Sequence, residues 1–148
     1  MPMRTLNSIH INAAPEIVFK LAAEVENWPR ILPHYRWVHV VESRGLSRIV
    51  EMAALRTIIP VKWLSVQTLE PQAGRIYYEH IGGPTRGMWV EWTIGRDPNG
   101  GTRAVIMHEM DLRVPIVRTP PGKLVTGRFF VSHIAGKTLE HIKRAAEG

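Results

Sequence analysis

Between residues 35 and 113 the chain alternates apolar and polar side chains in six short runs, and an apolar stripe at helical spacing then extends from about 119 to 146. That order constrains the fold more than any other feature. Such a sheet is too long to bury its apolar face against itself without curling, and one helix cannot fill a curled sheet completely. The space left over is a pocket, and small molecules bind in pockets of this kind.

The strand runs are 35–44, 47–58, 61–70, 75–81, 85–96 and 102–113. Arg44-Gly45, Pro60, Pro71 to Gly74, Gly82-Gly83-Pro84 and Pro98-Asn99-Gly100-Gly101 separate them, all of them turn chemistry. Connections this short join antiparallel neighbours. Ahead of these runs, 4–12 alternates well enough for a first strand. Pro15 then sits where a first helical residue belongs, and Ile17, Val18, Leu21, Ala22 and Val25 form an apolar stripe. A second short helix is predicted to start near Trp28-Pro29 and to end by Pro33. Residues 114–121 carry three prolines and read as a loop that cannot join the sheet. Pro121 opens the last helix, whose stripe includes Val131, Ile134, Thr138, Leu139 and Ile142. The order predicts an α+β helix-grip fold: a curved seven-stranded antiparallel sheet around a long C-terminal helix, with two short helices after strand 1 closing one end. With no internal repeat or linker, residues 1–148 are expected to form one domain.

Composition narrows the function. The formal net charge of +6 favours an acidic partner. The basic residues are scattered, however, and the densest group (Lys137, Lys143, Arg144) sits where cations meet the dipole of the last helix. The absence of cysteine removes disulfides, Cys-ligated zinc and thiolate nucleophiles, and is compatible with a cytoplasm. No stretch approaches the ~20 apolar residues that span a bilayer, so a cytoplasmic location without integral membrane contact is expected. The histidines never fall four apart with a glutamate between, which disfavours zinc, and no metal or cofactor is expected. There is no Gly-x-Ser-x-Gly elbow, and Gly82 to Gly87 lacks the Lys-Ser/Thr of a phosphate loop. Nor do aromatics alternate with Lys/Arg-Gly, so the positive charge alone does not argue for nucleic acid.

Strand parity indicates which side chains face the pocket. In the run 85–96, Arg86, Met88, Val90 and Trp92 share the more apolar face. In 102–113, His108 falls with Ile106 and Met110, opposite Glu109 and Asp111. The run 61–70 groups Trp63, Ser65 and Gln67, and 75–81 groups Tyr78 and His80; hydrophobicity alone does not choose between the faces of these two. Val131, Ile134 and Thr138 face inward from the helix. Large aromatics with isolated polar groups suit an aromatic or polyene-like ligand. Each residue also has a plainer explanation. Inward tryptophans more often pack a core, a lone inward histidine is more often satisfied by a neighbour, and Arg86, just after a turn, can reach solvent.

The segment Arg4-Thr5-x-Asn7-Ser8-Ile9, then Asn12-Ala13, Glu26-x-Trp28-Pro29 and Tyr35, resembles the start of the tetracenomycin-type aromatase/cyclases of aromatic polyketide biosynthesis, members of the START/Bet v 1-like polyketide cyclase/dehydrase superfamily. The similarity continues through Trp63-x-Ser65, His80, Gly83-Pro84, Met88, Trp92, Gly100-Gly101-Thr102, Glu109, Asp111 and Glu140-x-Ile142-Lys143, and covers almost the whole chain. It implies that a poly-β-ketone, delivered by an acidic acyl carrier protein, bends inside the cavity, closes a ring by aldol addition and aromatises by dehydration. Such chemistry needs a held shape, a donor for the enolate oxygen and groups that move protons. By position, the resemblance places Trp28, Tyr35, Trp63, Ser65 and Trp92 on the pocket wall or at its gate. It also puts His108 where those enzymes carry a polar cavity residue. Their cavity arginine lies two positions after the serine, where this chain has Gln67, which offers a hydrogen bond but no charge. Arg86 is the expected substitute, so Tyr35, Arg86 and His108 are the expected catalytic groups. The same fold includes lipid and quinone carriers, and a non-catalytic carrier of an apolar molecule is the alternative.

Overall fold

The structure, a computed structural model, describes residues 2–56, 59–111 and 128–148. The expectations for residues 57–58, for the strand end at 112–113, for the 114–121 loop and for the helix start near 119–121 lie outside those residues.

Seven strands form one antiparallel sheet: β1 (Pro2–Ile11), β2 (Tyr35–Arg44), β3 (Ser47–Arg56), β4 (Ile59–Glu70), β5 (Arg75–Gly82), β6 (Trp89–Arg96) and β7 (Thr102–Asp111). Their spatial order is β1-β7-β6-β5-β4-β3-β2, so consecutive strands from β2 to β7 pair with one another and β1 closes on β7. Register shifts between Tyr35 and Trp37, between Val40 and Glu42, and between Leu64 and Ser65 bend the sheet, as extra residues in one strand of a pair do. Between β1 and β2 lie α1 (Pro15–Ala23), a 3₁₀ turn (Val25–Asn27) and α2 (Trp28–Ile31). Pro15 and Pro29 sit in the first turns of α1 and α2, where a missing N–H costs nothing. The long helix α3 (Arg128–Glu147) lies in the concave face, burying Val131, Ala135, Leu139 and Ile142. The arrangement is the helix grip that the order of elements predicts.

Polar contacts hold α3 against β1. Asn7 Nδ2 donates to the Ser132 carbonyl at 3.3 Å, and Lys143 Nζ donates to the His10 carbonyl at 3.0 Å. The Asn12 amide donates to Glu147 at 2.8 Å.

Two expectations need correction. Pro60 is the second residue of β4, paired with Leu55, and not a separator; a strand end tolerates the missing donor. The second helix ends at Ile31, ahead of the limit expected at Pro33, with Leu32 extended after it. The sixth strand begins at Trp89 rather than 85. Gly83 and Gly87 take φ of 93° and 94°, and Arg86 N and Met88 N donate to the carbonyls of Gly83 and Thr85, so 83–87 winds into consecutive turns.

Gly74 ends the β4–β5 connection at φ 67°, and a Cβ there would collide with the Ile94 carbonyl oxygen. Gly74→Ala is expected to lower the unfolding free energy by about 1–3 kcal/mol, measured by urea denaturation. Gly45→Ala, at φ 59° but facing open space, is expected to lose less.

Candidate functional site

Between the concave sheet face and α3 lies an apolar cavity of about 80 Å³. A water molecule needs only ~10–15 Å³ of such space, so the cavity has room for more than one. Alternation along each strand turns every second side chain to the concave face. Met52, Val61, Trp63, Tyr78, His80, Val90, Trp92, Ile106 and His108 line the cavity from the central strands, with Tyr35 from β2. Trp28 joins from α2, Thr85 and Met88 from the β5–β6 connection, and Val131, Ile134, Ala135 and Thr138 from α3.

The polar residues are ordered by strand register. Thr5 opposes His108, which opposes Val90; Val90 opposes Tyr78, Tyr78 opposes Gln67, and Gln67 opposes Arg48. One row therefore crosses six strands on the concave side. Beside it, His80 stacks on Trp63, with ring centres 5.7 Å apart and planes 5° from parallel, and its Nδ1 meets Thr85 Oγ1 at 2.6 Å. Burial, with a smaller contribution from His108, pushes the His80 pKa down to about 3. Burial alone pushes His108 down to about 4. Both rings are neutral at pH 7, and His108 Nδ1 is buried without a hydrogen-bond partner among the described residues.

At the end of the cavity near α2, Tyr35 is buried edge-on to Trp28 and Trp63, at 5.0 and 6.0 Å between ring centres. Burial, and secondarily Tyr78, holds its phenol well above the usual range. Thr138 Oγ1 donates to the Ile134 carbonyl at 2.8 Å, so it accepts from His34 Nε2 at 3.1 Å. Burial is also the main reason that the His34 pKa falls to about 4.

Of the residues expected from the sequence, Trp28, Tyr35, Trp63, Tyr78, His80, Met88, Val90, Trp92, Ile106, His108, Val131, Ile134 and Thr138 meet at this cavity. Ser65, Gln67 and Met110 do not form its wall, although all three are buried. The Gln67 amide is turned to Arg48, Ala23 and Tyr78, and Ser65 Oγ is buried without a partner among the described residues. Arg86 does not face the cavity. It lies exposed in the 83–87 turn, because the strand alternation that would have aimed it inward begins only at Trp89. Met52, Val61, Thr85 and Ala135 were not anticipated. Met52 shares its parity with Val50 and Ala54 on β3 and was legible from that. Among the described lining residues there is no carboxylate, lysine or arginine, and no three His, Asp or Glu side chains cluster as metal ligands would.

The sequence profile of the family described as "Polyketide cyclase / dehydrase and lipid transport" matches residues 4–147. Among solved structures, the chain is similar to the Zhui aromatase/cyclase from Streptomyces sp. R1128, with a TM-score of 0.86 at 18% identity over 99% of this chain and 94% of that one. It is also similar to the di-domain aromatase/cyclase BexL of the BE-7585A biosynthetic pathway, with a TM-score of 0.82 at 20% identity over 99% of this chain and 50% of that one. A START superfamily protein from Mycobacterium smegmatis gives a TM-score of 0.72 at 16% identity, covering 98% and 94% of the two chains. At these identities the likeness establishes the fold. No curated protein sequence matches.

Proposed function

This chain belongs to the polyketide cyclase/dehydrase and lipid transport family, and from that premise we propose that it is an aromatase/cyclase acting on a carrier-bound polyketide. The observation that carries this proposal is the pairing of two neutral imidazoles, His80 and His108, with the phenols of Tyr35 and Tyr78 on one apolar wall. A poly-β-ketone folded there loses a proton from a methylene between two carbonyls to His108. The resulting enolate carbon bonds to a ketone carbon further along, and the new alkoxide takes that proton back from the His108 imidazolium to become a hydroxyl. His108 then takes a second proton from the neighbouring carbon, and the imidazolium so formed protonates the hydroxyl as it departs as water. In so dry a setting the imidazolium is a strong acid, well suited to that last step. Tyr35 donates a hydrogen bond to a carbonyl oxygen, its raised pKa keeping it protonated. The +6 charge suits an acidic acyl carrier protein as the donor.

A second possibility is a non-catalytic carrier of a lipid, quinone or similar apolar molecule. It is favoured by the absence of any formally charged side chain among the described lining residues. No described helix is long and apolar enough to cross a membrane. Native mass spectrometry of protein from its own host separates the two by the mass of any co-purified ligand. For the enzyme, product profiles are compared for the wild type, Tyr35→Phe and His108→Ala with a minimal polyketide synthase. The wild type is expected to give a cyclised aromatic product absent without protein, and both variants are expected to shift the profile toward that control. A wild-type profile matching the control would remove the enzyme from consideration.

A further inference from the structure

Although no arginine lines the cavity among the described residues, a guanidinium stands behind its wall. Arg48 occupies the row that carries Gln67, Tyr78 and His108, with its side chain 15% exposed. Its Nε donates to Gln67 Oε1 at 2.9 Å, Nη2 to the Ala23 carbonyl at 2.8 Å, and Nη1 to Glu26 at 3.0 Å. A guanidinium only donates, so it fixes which end of the Gln67 amide is oxygen. The amide nitrogen therefore faces the other way, donating to the Ala23 carbonyl and to Tyr78 Oη, both at 3.0 Å. With both amide hydrogens assigned, Tyr78 accepts in its bond with Gln67, and its own proton remains for another partner.

We propose that Arg48, Gln67 and Tyr78 form a one-way hydrogen-bond relay that makes Tyr78 the donor to a carbonyl or enolate oxygen in the cavity, with Arg48 and Gln67 as positioning residues. This assignment rests on the cavity being the site of a carbonyl-bearing guest. Each donor polarises the next: the guanidinium pulls on the amide oxygen, the amide N–H becomes a stronger donor, and the phenol O–H is strengthened in turn. The positive charge thus acts from Arg48, one strand away from Gln67, without entering the cavity. Burial pushes the Tyr78 phenol up, against smaller lowering by Gln67 and Arg48, so the group stays protonated and donates without ionising. Negative charge growing on a guest oxygen would be met by a donor already oriented for it.

The test compares two single-ring probes, acetophenone and ethylbenzene, by isothermal titration calorimetry. They are similar in shape and differ in the carbonyl. Wild type is expected to bind the ketone roughly three- to tenfold more tightly. Tyr78→Phe is expected to abolish that preference by lowering ketone affinity more than ethylbenzene affinity. In Gln67→Glu the carboxylate still accepts from Arg48 but offers an oxygen to Tyr78, turning the phenol proton away from the cavity. This near-isosteric change is expected to abolish the ketone preference as well. Arg48→Met is expected to reduce the preference, and Arg48→Lys to restore part of it. A purely structural role would weaken both probes together. Equal binding of the two probes by wild type overturns the relay and leaves the cavity site standing, as does a preference that survives Tyr78→Phe. If neither probe binds, the cavity site and the relay fall together.

Discussion

Brought from pH 7 toward pH 4, the protein is expected to unfold in a transition that takes up close to three protons. His34 and His108 are held down to about 4 and His80 to about 3, chiefly by burial, whereas an unfolded histidine titrates near ~6.5. Below that value the unfolded chain binds protons that the folded chain refuses. Stability from these groups is therefore complete above about pH 6.5 and declines as pH falls toward the folded values near 3–4. Each such proton contributes about 1.4 kcal/mol per pH unit, so three give a slope near 4 kcal/mol per unit in mid-window. Against a domain stability of about 5–15 kcal/mol, two units are enough to matter. His10 acts in the opposite sense. Its hydrogen bond to Asp97 raises its pKa, so its stabilisation is present at low pH and fades as pH rises through the folded value. The pair is open to solvent on the histidine side and offsets little. Urea denaturation followed by circular dichroism at pH 7, 6, 5 and 4.5 reads the slope. Replacing His108 with leucine should remove about a third of it, and a flat wild-type profile would contradict neutral buried imidazoles.

Trp92→Ala is expected to cost about 3–5 kcal/mol, the ordinary range for deleting a buried indole. Trp92 is 2% exposed, lies 6.0 Å from Trp28 between ring centres, and is flanked across the sheet by Ile76 and Ile106. Because it also lines the cavity, the same deletion enlarges the space for a guest. Affinity for naphthalene relative to benzene is therefore expected to rise as stability falls. Urea denaturation reads the first effect and calorimetry the second. Trp92→Phe should fall between wild type and Trp92→Ala on both measures. A loss below about 1 kcal/mol would mean that the indole is poorly packed and the cavity wall lies elsewhere.

Much of the architecture was legible beforehand because alternation and turn residues are local. Strands 35–44 and 75–81 were bounded to within a residue by Arg44-Gly45 and the Pro71 to Gly74 cluster. Inward parity was legible on β6, where apolarity chose the inner face, and on β7, where charge chose the outer one. Arg86 failed because parity cannot be carried through a turn: two glycines at positive φ break the alternation between His80 and Trp89. Arg48 escaped notice although it shares its face with Val50 and Met52. A charge at a strand end more often reaches solvent, and nothing near it in sequence announces Gln67 or Ala23 as partners.

Element types and order followed from the amino-acid sequence alone, since propensity, periodicity and turn chemistry act between residues a few positions apart. The meeting of Arg48, Gln67, Tyr78 and His108 in one row required the register of five strands. The neutral state of the histidines required knowing how far the sheet and α3 remove water from them. Both depend on contacts between distant parts of the chain, and a sequence read position by position carries no term for them.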